Sequence, residues 1–277
     1  MNIGIRLHDT LPGSFWDRLT CAKKQGFSCV HLAMSKALPR FDMQDAPRRL
    51  DDHLAEQVRS ALAIKDMECA VLGCYLRLAE PDPGTLERTR EIYRAHLRFA
   101  KKIGARVVGT ETPGMNGVAD AGSEEAFARF IENARPVVRW AEEEDVLLAI
   151  EPVACHIVST PERAQRMLEA FGSDHVRIIL DAVNLLTRDN YMEADAVIED
   201  AVRRLGDRVS VLHMKDFTVD PDEYMVKACA CGTGVMDYDR LLRFAVARDL
   251  PMTLENTVPE NAEAARRFLK ARGEALK

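Results

Sequence analysis

Residues 176–184, VRIILDAVN, decide the fold, because an apolar run of strand-forming residues stops at the carboxylate of Asp181. A run that is apolar at consecutive positions is typical of a parallel strand covered on both faces. The pattern recurs in three further stretches: VLLAIEP (146–152), RVSVLHMKD (208–216) and PMTLENT (251–257). These runs end at Glu151, His213 and Glu255. The repetition predicts neighbouring parallel strands that each present one ionisable side chain at the carboxyl end.

Outward from these stretches, short strand-forming runs alternate with helical apolar patterns eight times. The predicted strands lie near 2–6, 28–33, 68–73, 106–110, 146–151, 176–181, 208–213 and 251–255. Eight β–α units in strict order predict a closed (β/α)₈ TIM barrel, formed by residues 1–277 as a single domain. An open doubly wound sheet is the alternative. It is disfavoured because IRLHDTLPG (5–13) follows the first strand in place of a glycine-rich GxGxxG turn.

The longest irregular stretches, 34–48, 74–84, 111–122 and 214–236, all follow predicted strands. In a barrel they would gather at the C-terminal mouth, where the chemistry of this fold is built.

Composition narrows the classes of function. The chain is 47% hydrophobic and 30% charged, as in a globular protein with a sizeable core. No apolar run reaches the ~18 residues of a membrane span, and MNIGIRLHDT lacks the pattern of a signal peptide. We therefore expect a cytoplasmic protein with no membrane partner, whose seven cysteines are reduced. The net charge of −6 disfavours nucleic acid and favours a small-molecule substrate.

Three carboxylates and one imidazole projecting into one space suit a divalent cation that handles oxygen ligands. Each residue alone has a structural alternative: a strand-end charge for Glu151, a helix cap for Asp181, a hydrogen-bonded core histidine for His213 and a charge at the barrel mouth for Glu255. The four together favour a metal site.

Five motifs carry a family resemblance: IEPVA (150–154), ILDAVNLL (179–186), LHMKD (212–216), GTGVMDY (232–238) and TLEN (253–256). In their order and strand placement they resemble the sugar phosphate isomerase/epimerase family with the xylose-isomerase-like barrel. That superfamily also includes ketose 3-epimerases, inosose dehydratases and the endonuclease IV branch. The motifs are specific for the superfamily and less so for any one reaction.

The resemblance implies an isomerase or epimerase of a sugar or sugar phosphate, with one divalent ion bound by Glu151, Asp181, His213 and Glu255. Manganese or magnesium is expected first, with cobalt or zinc as alternatives. Glu151 and Glu255 would remove and return a proton next to a carbonyl, through an enediolate that the metal stabilises. Which glutamate is the base stays open.

The chain departs from its relatives at Asn184, where the endonuclease branch and most ketose 3-epimerases carry a histidine. The segment between His213 and Glu255 holds no other histidine, so the multi-zinc cluster of the nuclease branch has no counterpart. DNA cleavage is therefore disfavoured, and the case for a free ketohexose substrate is weakened.

Five residues are secondary candidates for substrate binding: His156, Asn184, Lys215, His8 and Glu111. Each also has a structural interpretation; for Lys215 a salt bridge with a nearby acid is the stronger one. Three other functions stay open: a lyase that dehydrates a keto-cyclitol or related polyol, a sugar-binding barrel without turnover, and a metal-dependent nuclease. Homo-oligomers are compatible with a barrel of this kind.

Overall fold

The computed structural model describes residues 1–114 and 120–276. Eight parallel strands form a closed barrel: β1 (Ile3–Arg6), β2 (Cys29–Ala33), β3 (Glu68–Gly73), β4 (Val107–Glu111), β5 (Leu148–Glu151), β6 (Val176–Asp181), β7 (Val209–Met214) and β10 (Met252–Leu254). They pair in the order β1-β10-β7-β6-β5-β4-β3-β2. The predicted (β/α)₈ barrel is confirmed, and every predicted strand end lies within about two residues of the observed one.

Helices surround the barrel between successive strands. They are α1 (Phe15–Lys24), α2 (Met34–Ala37), α3 (Ala46–Arg49), α4 (Asp52–Ile64), α5 (Pro83–Ile103), α6 (Glu124–Glu144), α7 (Pro161–Phe171), α8 (Ala194–Leu205), α9 (Asp239–Ala247) and α10 (Ala262–Ala275). Ser14 caps α1 by accepting a hydrogen bond from the Asp17 backbone N–H group. Among the described residues, no helix is both long and apolar enough to cross a bilayer.

The stretch 214–236 differs from its prediction as irregular chain. It contains an antiparallel pair of short strands, β8 (Asp216–Thr218) and β9 (Lys227–Cys229). Strands of three residues are too short for an alternating pattern to stand out in the sequence. Of the predicted irregular stretch 111–122, residues 115–119 lie outside the described residues.

The core has two layers, one inside the barrel and one between the strands and the helices. The inner layer contains Cys29, Val71, Val107, Ala149, Ile179 and Val211. The outer layer is larger and includes fully buried aromatic side chains such as Tyr93, Phe99 and Phe130. The described cysteines are all free thiols.

The inner layer fixes the direction of the strand-end side chains. Side chains alternate between the two faces of a strand, so a residue two positions after an inward-facing one also points inward. Glu151, Asp181 and His213 follow Ala149, Ile179 and Val211 by two positions, at the carboxyl ends of β5, β6 and β7. The packing of the barrel interior therefore directs these three side chains into its mouth.

Candidate active site

The structure brings together the four residues predicted as metal ligands. Glu151, Asp181 and His213 are at most 1% exposed, and Glu255, one residue beyond β10, is 8% exposed. His213 Nδ1 lies 3.0 Å from Glu151 Oε2 and 3.3 Å from Glu255 Oε1. Asp181 and His213 are register partners on neighbouring strands β6 and β7. Three carboxylates thus surround one imidazole in a buried space.

This donor set fits a divalent cation. Glu151, Asp181 and His213 each offer a ligand atom, and these atoms lie within 4.8 Å of one another. His213 Nε2 is buried and has no hydrogen-bond partner in the described part of the chain. Glu255 belongs to a second such group, with His213 and His31. Carboxylate oxygens are ligands that manganese and magnesium prefer in proteins, and zinc takes both carboxylate oxygen and imidazole nitrogen.

Lys215 and Asn184 face these carboxylates. Lys215 Nζ lies 2.8 Å from Asp181 Oδ2 and 3.5 Å from Glu255 Oε2, and it donates a 2.7 Å hydrogen bond to Asn184 Oδ1. Asn184 Nδ2 in turn donates a 2.5 Å hydrogen bond to Glu151 Oε1. The structure thus shows the salt bridge expected as the stronger interpretation of Lys215, and both residues orient the acids of the site.

Burial and neighbouring charges shift the pKa values of these groups in opposite directions. Burial alone would lower the pKa of His213, but the carboxylates of Glu151 and Glu255 outweigh it and raise the pKa to about 9. Burial raises the pKa of Asp181 to about 6, although Lys215 opposes the shift. Burial also opposes ionisation of Glu255, yet the charges of His213 and Lys215 hold its pKa below the usual range.

A cavity of about 390 Å³ opens from Glu255 towards the β1–β4 side of the mouth. Two of the predicted substrate-binding residues, His8 and Glu111, line it. A third, His156, lies beside the cavity wall with Nδ1 3.6 Å from Glu111 Oε2. Burial, together with the charges of Glu151 and Glu255, raises the pKa of Glu111 to about 8. A carboxyl group with this pKa is mostly protonated at neutral pH.

Three residues of the mouth were not predicted as site residues: Arg6, Tyr75 and His31, which the sequence favours as a core histidine. Arg6 Nε lies 2.9 Å from Asp9 Oδ2, and its Nη1 lies 3.7 Å from Glu255 Oε2. The His31 ring stacks on His213, with ring centroids 5.2 Å apart. Tyr75 Oη lies 3.2 Å from His31 Nε2. The signal for His31 was its place two residues after inward-facing Cys29, which the same alternation rule would have detected.

Residues 19–272 match the family described as xylose isomerase-like TIM barrel. The chain belongs to this family. Among curated proteins, SgbU of Escherichia coli (strain K12), which carries the name of an L-ribulose-5-phosphate 3-epimerase by inference, is 25% identical over 207 residues, which cover 73% of this chain and 68% of the relative. D-psicose 3-epimerase of Enterocloster bolteae is 34% identical over 90 residues, which cover 31% of this chain and 28% of that enzyme.

A solved structure shares the whole xylose isomerase-like barrel. The IolI protein, solved with a bound zinc atom, superposes with a TM-score of 0.76 at 17% sequence identity. The superposition covers 100% of this chain and 98% of IolI. At this identity the likeness establishes the fold.

Proposed function

We propose that the protein is a divalent-metal-dependent epimerase or isomerase of a small sugar or sugar phosphate. The observation that carries the proposal is the placement of the Glu151 and Glu255 carboxylates, 3.0 Å and 3.3 Å from one His213 nitrogen, with Glu255 lining an open cavity. The names of the two curated relatives, both 3-epimerases of sugars or sugar phosphates, agree with this reaction class.

The ion would be held by Glu151, Asp181, His213 and Glu255, with manganese or magnesium expected first and cobalt or zinc as alternatives. When bound, the cation would stabilise negative charge on the substrate oxygens as an enediolate develops. The described residues fit this role because three of the four are carboxylates and the fourth is an imidazole.

Glu151 and Glu255 move the proton. One carboxylate removes the hydrogen from the carbon next to the carbonyl, and the other returns it from the opposite side, which inverts that carbon. Asn184 fixes Glu151 through a hydrogen bond, while Lys215 and Arg6 lie near Glu255 Oε2. Each acid therefore keeps a defined orientation, as proton transfer requires, and the assignment of base and acid stays open.

A second function, dehydration of a keto-cyclitol or related polyol, is favoured by one observation. Glu111 lines the cavity, and its burial raises the pKa of the carboxyl group, which favours the protonated form. A protonated carboxyl group in this position could donate a proton to a departing hydroxyl group. The first step, proton removal next to a carbonyl, would be the same in both reactions.

The test is proton exchange in deuterated water. The manganese-loaded protein is incubated with a panel of ketoses, their phosphates and keto-cyclitols, and NMR and mass spectrometry follow the products. Deuterium at the carbon next to the carbonyl supports the proposal; a product of unchanged skeleton mass indicates an epimerase or isomerase, and loss of water indicates a lyase. Absence of exchange across the whole panel contradicts it.

The two proposed proton carriers should be needed for this exchange. Glu151→Gln and Glu255→Gln keep the size of each side chain but remove its basicity, so we expect exchange to fall about 10²–10⁴-fold. The exposed helical variant Glu132→Gln is the matched control and should exchange at the wild-type rate. Wild-type exchange in both site variants would exclude these residues as proton carriers.

A further inference from the structure

The cavity beside Glu255 has a second end, away from the proposed metal ligands. Its lining extends from Glu111 and Glu255 to Ser35 and Lys36, which follow β2. At about 390 Å³ it lies within the range of small-molecule sites, ~300–1,000 Å³. A substrate whose reacting carbon lies near Glu255 would place its other end near Lys36.

The cavity is lined by the imidazole of His8 and the ammonium group of Lys36, and also by Arg6, whose Nη1 lies 3.7 Å from Glu255 Oε2 on the inner side. Lys36 is exposed, and no carboxylate in the described ranges lies within 4.0 Å of its ammonium group. The His8 side chain is 15% exposed, and its buried Nδ1 has no hydrogen-bond partner among the described residues. The positive charge of Lys36 therefore faces the cavity without an acidic partner among the described residues.

The local field is positive at this end. Burial, and after it the charges of Arg6, Lys36 and Arg18, lower the pKa of His8 to about 4, although Glu255 opposes the shift. Three cations thus act on one imidazole. An anion that entered this end would relieve their mutual repulsion.

Nearby acids only partly offset the field. Asp9 pairs with Arg6 at 2.9 Å, and Glu255 lies 3.7 Å from the same guanidinium group. Two carboxylates, Asp9 and Glu255, therefore partly neutralise the charge of Arg6, whereas the charge of Lys36 stays available to a ligand.

We propose that His8 and Lys36 form a subsite for an anionic group, a phosphate or a carboxylate, at the end of the sugar remote from the reacting carbon. The proposal rests on the proposed function and narrows it to sugar phosphates or sugar acids. Lys36 would act as a charge with three donors, and the fixed guanidinium group of Arg6 would line the inner side of the subsite.

Kinetics on three matched substrates tests the subsite: a ketopentose, its 5-phosphate and a keto sugar acid, each with manganese-loaded protein. We expect kcat/KM for one of the charged substrates to exceed that for the neutral sugar by at least about tenfold, because a charge-assisted contact contributes this much. The substrate with the higher value identifies the anion as phosphate or carboxylate. Equal values for all three would overturn the proposal.

Variants at Lys36 test whether this residue causes the preference for a charged substrate. Lys36→Met should lower the ratio of charged to neutral kcat/KM by about tenfold, and Lys36→Arg should retain the ratio. Lys24→Met removes the same charge from an exposed position on α1 and should leave the ratio unchanged. An unchanged ratio in Lys36→Met would also overturn the proposal.

Calorimetry separates failure of the subsite from failure of the proposed function. A pentitol 5-phosphate and the neutral pentitol, which carry no carbonyl group, are titrated into wild type and Lys36→Met. Tighter binding of the phosphate to wild type, weakened about tenfold by Lys36→Met, supports the subsite even where no sugar is turned over. Equal affinity for both polyols would overturn it even in an active epimerase.

Discussion

Two buried histidines show how differently the two regions of this barrel are stabilised. His96, on α5 in the layer between helices and strands, is 0% exposed, and His213, in the mouth, is 1% exposed. Burial lowers the pKa of His96 to about 4. At His213 burial acts in the same direction, yet Glu151 and Glu255 raise the pKa to about 9. Equal burial gives opposite charge states because the neighbours differ.

The difference shows that the helix–strand layer and the barrel mouth are stabilised by different interactions. His96 lies on α5 among buried residues that include Ile92, Leu97 and Ala100, and this helix–strand layer is stabilised by the removal of apolar surface from water. The mouth buries charges that are tolerable only because each has a partner. Removing a charged side chain from the mouth should therefore lower the stability strongly, and so should placing a charge in the helix–strand layer.

The largest effect on stability is expected from Lys215→Met. The change leaves Asp181 and Glu255 buried without their ammonium partner, and breaking a buried ion pair costs about 3–5 kcal/mol. Urea unfolding in EDTA should show this loss, and added manganese should reduce it because a divalent cation compensates the same carboxylates.

Lys24→Met, on the exposed side of α1, is the control and should unfold like wild type. If Lys215→Met lost the same free energy of unfolding with and without manganese, the metal would not bind these carboxylates.

A smaller effect, in the layer, is acid destabilisation through His96. Its folded pKa of about 4 lies below its unfolded value, so between pH 6.5 and 4 the unfolded chain binds the proton that the folded protein excludes. Stability is fully present above pH 6.5 and falls as the pH drops, by about 2 kcal/mol at pH 5 from this residue. Denaturant unfolding of wild type and His96→Gln at pH 7 and pH 5 checks it. Parallel losses in the two proteins would contradict the assignment.

The smallest effect is expected from Asn184→Ala. Asn184 links the mouth by donating to Glu151 and accepting from Lys215, so its loss should let Glu151 rotate. We expect kcat to fall about tenfold with KM little changed, since a positioning residue acts on the transition state more than on binding. Stopped assays over a substrate range measure both. A rise in KM with unchanged kcat would instead make Asn184 a substrate ligand.

The strands of the barrel and the side chains at their carboxyl ends could be predicted from the sequence for one physical reason. A parallel strand buried on both faces is a nearly continuous apolar run, so the acid that ends VRIIL at Asp181 is visible without any structure. The same alternation that directs Ala149 into the barrel directs Glu151 into the mouth.

The open side of the mouth was harder to predict because its residues belong to β1, β2 and the following loops. Arg6 and His31 lie within or at the end of strands whose inner face is marked only by small residues, Gly4 and Cys29. Tyr75 reaches His31 from a loop, and loop geometry leaves no periodic pattern. The partners of Lys215 likewise come from other strands and loops, and the sequence alone does not show which of these side chains lie within contact distance.

The central claim, that four strand-end side chains share one divalent cation, is tested most directly by counting bound metal. Protein purified from manganese-supplemented cells is dialysed, and its metal content is measured by elemental analysis in wild type and in Asp181→Ala. The account predicts about one ion per wild-type chain and a loss of about 10- to 100-fold in affinity or more in the variant. Equal metal content in both proteins, or none in wild type with manganese, magnesium, cobalt or zinc, would contradict it.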